Sequence, residues 1–126
     1  MDFHNELGKK VLEIQVGTAP SAASHYRTIA DRDYYCTKIE YRFTTGSTSG
    51  TAAIYKAPSG TALASGTPLH GTAMDISTGA TADTNISVVL TPSALSISAG
   101  DAIGVVWGGT LTSLVGLVIC IHLECR

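Results

Sequence analysis

The four histidines, His4, His25, His70 and His122, are the side chains best suited to proton transfer or metal binding, and they are dispersed. No two of them stand at zinc-ligand spacing, and no carboxylate joins them in a recognisable motif. The densest group is "CIHLEC", where Cys120, His122 and Glu124 occupy alternate positions and so share one face of a strand. A strand sets such residues about 7 Å apart, too far for one ion without ligands from elsewhere. A solvated strand face is the reading these three favour. The triplet "SGT" recurs at Ser49, Ser59 and Ser65, but no G-x-S-x-G nucleophile turn accompanies it. "GTLTSLVG" lacks the G-K-[ST] of a phosphate-binding loop, and "NIS" at Asn85 is a glycosylation acceptor only in a secreted chain. Tyr34 and Tyr35, beside Asp31, Arg32 and Asp33, could form a sugar-stacking or partner-contact loop, or close one end of a sandwich. No catalytic residue, metal ligand or cofactor site is expected.

Composition points the same way. The chain has 126 residues, enough for one domain, with 44% hydrophobic residues but only 14% charged ones. A net charge of −2 gives no attraction for nucleic acid or an anionic membrane. The longest apolar run, Leu114 to Ile121, is too short to span a bilayer. The start "MDFHNELGKKVLEIQV" has no basic n-region followed by an apolar stretch, so folding in a cytoplasm is expected. Three cysteines make no disulfide framework, and Cys120 and Cys125, five apart on one strand, point to opposite faces. Cys36 could pair with either, although buried thiols are the simpler expectation.

The elements that would carry these residues are strands. "TKIEYRFTT" alternates Ile39, Tyr41 and Phe43 with Lys38, Glu40 and Arg42; "TNISVVLT" turns Ile86, Val88 and Leu90 inward; "DAIGVVWGG" does so with Ile103, Val105 and Trp107. "VLEIQV" offers Leu12, Ile14 and Val16, with a short helix from Asn5 as the alternative. "HYRTIA", "GTAAIYKA", "TAMDIS" and "LVGLVICIHLEC" complete eight candidate strands. Gly, Ser, Asn and Pro punctuate them at the rhythm of an antiparallel sandwich. Between them lies "KAPSGTALASGTPLHGTAMDISTG", which carries only Lys56 and Asp75 as charges and reads as tight turns and short strands on a neutral, coverable surface.

Three stretches in order, "TAAIYKAPSGTALASGT", "LSISAGDAIGVVW" and "GTLTSLVGLVICIHL", resemble the small jelly-roll proteins that decorate tailed-bacteriophage capsids, the cement proteins and head-fibre components. The resemblance covers roughly the last 75 residues, and its "AGD" is shared by many β-sandwiches. It implies an all-β, eight-stranded antiparallel jelly-roll β-sandwich that forms a homotrimer. Such a trimer would sit on the capsid exterior of a virion assembled in the host cytoplasm and brace the major capsid protein. A carbohydrate- or host-surface-binding module is the other reading, and a cupin-type enzyme would need a His-rich inner face that this chain lacks.

Two sets of contact residues follow. The last strand is apolar on both faces at its start, so Val118, Cys120 and His122 are expected at a trimer interface. Twelve of the eighteen charged residues lie between Asp2 and Arg42. Residues 1–18 are therefore read as an N-terminal arm or first strand, and 19–126 as the β domain. Phe3, Leu7, Lys9 and Lys10 are the expected capsid contacts, with apolar anchors entering grooves and charges fixing orientation.

Overall fold

Period-two alternation in segments rich in Val, Ile, Thr and aromatic residues gives strands throughout. The computed structural model describes residues 2–6 (backbone only), 8–18 and 26–126. Among these residues the strands are β1 (Asp2–Glu6), β2 (Lys9–Thr18), β3 (Arg27–Ile29), β4 (Tyr34–Arg42), β5 (Thr51–Ala57), β6 (Thr67–Pro68), β7 (Met74–Asp75), β8 (Ile86–Ser87), β9 (Ser96–Ile97), β10 (Ala102–Gly108) and β11 (Val115–Cys125). All eight expected segments are present as strands, although β7 and β8 are only two residues long. Three further strands appear: β1, inside the segment read as an arm or first strand; β6, inside the stretch read as turns and short strands; and β9, too short to be read. No helix starts near Asn5: β1 and β2 form a hairpin that Gly8 reverses at φ +77°.

The fold is all-β, with two antiparallel sheets. One has the order β1-β2-β11-β4-β8, with β9 also on β4; the other has the order β3-β10-β5-β6, with β7 also on β5. The chain's last strand thus lies inside the first sheet, bonded to β2 on one side and β4 on the other. Inner faces of both sheets build one core. Leu12, Ile14, Val16, Ile39, Tyr41, Phe43, Leu117, Ile119, Ile121 and Leu123 come from the first sheet. Ala52, Ile54, Ile103, Val105 and Trp107 come from the second, with Ile86, Val88 and Leu90 packed alongside. Because β2 supplies three core residues, the stretch from Lys9 to Thr18 is an integral strand of the sheet.

Alternation fails at one place. In β4 the inward set is Tyr34 and Cys36, then Ile39 and Tyr41, so the phase slips by one residue between Cys36 and Ile39. The ladder explains it: His122 pairs with Lys38, but Leu123 pairs with Cys36, leaving Thr37 as the extra residue of a bulge. Thr37 anchors this irregularity by donating its hydroxyl to the His122 carbonyl at 3.3 Å.

The neutral stretch after β5 folds back over the second sheet. Turn bonds join Thr61 N–H to the Pro58 carbonyl, Ser65 N–H to Ala62 and Gly66 N–H to Leu63. Leu63 is buried by this return. A Cβ placed on Gly104 would meet the Tyr26 carbonyl oxygen and Arg27 Cβ at 2.6 Å and Leu63 Cδ2 at 2.9 Å. Glycine in the middle of β10 is what lets these neighbours lie so close.

Candidate functional site

The outer face of the first sheet gathers the polar and ionisable side chains. Antiparallel register sets them in rows: Val11, His122 and Lys38; then Glu13, Cys120 and Glu40; then Gln15, Val118 and Arg42. Glu40 is the hub. Its Oε2 lies 3.2 Å from Lys38 Nζ and its Oε1 lies 3.4 Å from His122 Nε2. Lys38, and after it His122, hold the Glu40 carboxyl below its ordinary range. His122 Nε2 is closed to solvent and makes no hydrogen bond with the described residues, so its approach to Glu40 is close but misaligned.

The thiol of Cys120 is pushed up by burial, and further by the carboxylates of Glu13 and Glu40 on either side. It is therefore protonated near neutrality and a poor nucleophile. Beside it, Glu40, Arg42, Asn85, Val118 and Cys120 line a shallow depression of about 200 Å³. Glu124, the third member of the "CIHLEC" group, turns to Lys9 at 3.9 Å. Among the described residues no three His, Cys, Asp or Glu side chains come together closely enough to hold a metal ion.

A second cluster closes one end of the molecule. Asp31 Oδ1 accepts from the Tyr34 hydroxyl and from Lys10 Nζ at 3.1 Å, and that ammonium lies 5.3 Å from the centre of the Tyr34 ring. The Tyr34 hydrogen bond, then Lys10, depress the Asp31 carboxyl to about 2. Asp33 accepts from the Ala99 N–H at 2.8 Å and lies 4.0 Å from Arg126. The "DRD" turn is thus a clasp holding β2, β4 and the end of β11 together.

These positions sort the expected residues. Val118, Cys120 and His122 do share one face, the outer face of an interior strand, and each is half-buried. Tyr34 and Tyr35 are not a loop and not a shared platform. They are consecutive on β4 and face opposite ways: Tyr34 is in the core, while Tyr35 is 42% exposed. Lys9 is open to solvent, but Lys10 has a side chain only 12% exposed and held by Asp31. The Phe3 side chain and Leu7 lie outside the described residues, as do the His4 side chain and His25. All three cysteines are free thiols: Cys36 buried, Cys120 intermediate and Cys125 exposed.

Glu40 and Glu13 were not singled out from the sequence as site residues, and Asp31 was named only beside Tyr34 and Tyr35. Glu40 was legible as an outward residue of β4 beside Lys38, but His122 and Cys120 reach it from β11, about eighty residues away in sequence. Comparison with protein families, curated proteins and solved structures finds no match for this chain.

Proposed function

We propose that this protein is a non-enzymatic, self-associating structural module of the virion: a jelly-roll capsid decoration protein that trimerises and bridges major capsid proteins. The observation that carries this reading is the outer face of β11. An interior strand of a two-layer fold has its inner face covered by the opposite sheet, whereas its outer face meets water. Here that outer face presents Val118, Cys120 and His122. Two of the three are apolar or nearly so. A second copy covering this face would remove Val118 and Cys120 from water, while Lys38, Glu13, Glu40 and Arg42 around them would fix its orientation. The sequence resemblance supplies the capsid context.

Sedimentation at micromolar concentration tests the self-association. A trimer is expected for the native chain and a monomer for Val118→Lys. A native chain that stays monomeric would remove the reading's main support. Co-sedimentation with undecorated shells tests the attachment. Deleting residues 1–6, which removes β1 and leaves β2 whole, is expected to keep the trimer and abolish binding to shells.

One observation favours a second reading. Tyr35 is exposed on this same face, in register with Glu124 and next to Thr37. An exposed aromatic ring flanked by polar side chains can stack a sugar ring. A glycan-array signal that Tyr35→Ala abolishes would favour that reading over the structural one.

A further inference from the structure

His70 belongs to none of the clusters above, and it is 2% exposed. Its Nδ1 lies 2.7 Å from the Thr72 carbonyl oxygen. A carbonyl only accepts, so Nδ1 carries the proton, and Nε2 is the lone pair that accepts the Ile54 N–H at 3.0 Å. Both ring nitrogens are committed, and they require the neutral ring. From this geometry we propose that His70 is an acid-sensitive catch on the seam between the two sheets, released when the imidazole takes a second proton.

A protonated ring has two N–H donors, so Nε2–H would face the Ile54 N–H donor to donor. Among the described residues, the groups bonded to the ring and its backbone carry no charge. β5 meets the ring with the Ile54 backbone, and the nearest charge on that strand, Lys56, gives its ammonium to the Ser96 carbonyl. The ring's own loop offers the Thr72 carbonyl, and the nearest charge there, Asp75, is bound to the N–H and hydroxyl of Ser77. The third neighbour is the backbone of Leu90, in a stretch from Thr84 to Thr91 that contains no charged residue. The ring must therefore leave its site to hold the proton.

What leaves with it is defined by the bonds around it. Leu69 donates its N–H to the Ile54 carbonyl, and Thr91 donates to the Leu69 carbonyl, each at 2.9 Å. Residues 69–72 thus lie between β5 of one sheet and the 90–91 stretch that leads to β9 of the other. Releasing His70 frees the middle layer of that seam while leaving the β2–β11–β4 ladder in place.

Amide exchange of the native protein at pH 7.5 and 5.0 tests this. Protection of Ile54 and Thr91 is expected to fall about tenfold or more at the lower pH, the equivalent of one buried hydrogen bond lost. Protection of Ile119 should not change. His70→Gln keeps an acceptor and a donor without the titration, and it should abolish the drop. Unchanged Ile54 protection in the native chain, or the same drop in His70→Gln, would overturn the proposal. If that variant does not fold, the ring nitrogen shifts of native His70 decide. Double protonation together with loss of the Ile54 amide supports the catch, and double protonation with that amide still protected refutes it.

Discussion

The two sheets solve the same problem, a solvent-facing side, in different ways. The first has three long strands, β2, β11 and β4, of 10, 11 and 9 residues, and its outer face carries charged and half-buried side chains. Ion pairs and half-buried Val118 and Cys120 are left there. The second has only β5 and β10 at seven residues each, with shorter strands at its edges. Its outer face sets small residues, Ala53, Ala57, Ala102, Gly104 and Gly108, beside Tyr55, Val106 and, on β3, Arg27 and Ile29, and the turn carrying Leu63 folds back onto part of it. The low-charge segment from Lys56 to Gly79 therefore covers a surface within its own chain. Charge-poor composition alone does not locate a docking face. The outer face of the first sheet is the more charged one, with Glu13, Lys38, Glu40 and Arg42.

If the two sheets share one core, truncation in either should weaken both. Ile119→Ala and Ile54→Ala each empty a site with 0% exposure, on β11 and β5 respectively. Each is expected to cost about 2–5 kcal/mol in a single denaturant transition. Two separate transitions would show that the sheets fold as independent units.

The contrast between covered and open outer faces predicts a smaller difference. Gly104→Ala drives a methyl into the Tyr26 carbonyl and Leu63, and should cost about 1–3 kcal/mol. Cys120→Ala, on the open face, should change the stability of a single copy by no more than about 0.5 kcal/mol. Equal losses, measured by urea unfolding of the monomer, would mean that the two faces are equally covered.

The smallest effect compares the inner and outer faces of the first sheet. Cys36 faces the core, and burial pushes its thiol from 9.0 up to about 11. The unfolded thiol ionises first, so the stability this group contributes is complete below pH 9 and is lost as pH rises toward 11. At pH 10 the native chain should be weaker than Cys36→Ala by an added increment of about 1 kcal/mol relative to neutral pH. Alkylation should follow the same order, with Cys125 reacting first and Cys36 last.

Much of the fold was legible in local pattern. Alternation in "TKIEYRFTT", "VLEIQV", "DAIGVVWGG" and the last strand identified the core residues, because a side-chain period of two is fixed by the strand itself. The prolines sit where the strand punctuation places them: Pro58 follows β5, and Pro68 lies in the edge strand β6, where a missing N–H costs little.

The sequence by itself determined that this chain is β throughout, which side chains face inward along most strands, and where it turns, since these follow from the chemistry of neighbouring residues. Only the tertiary structure decided the rest. The bulge at Thr37 sets Tyr34 inward and Tyr35 outward, and it arises from register against β11, not from any property of β4 alone. Lys10 became part of a clasp because Asp31 and Tyr34 lie beside β2 in space. His70, in a stretch read as a turn, became a buried neutral ring because Ile54 and Thr72 converge on its two nitrogens. Each of these depends on which strands pair and which loops return, and pairing joins residues that no local period connects.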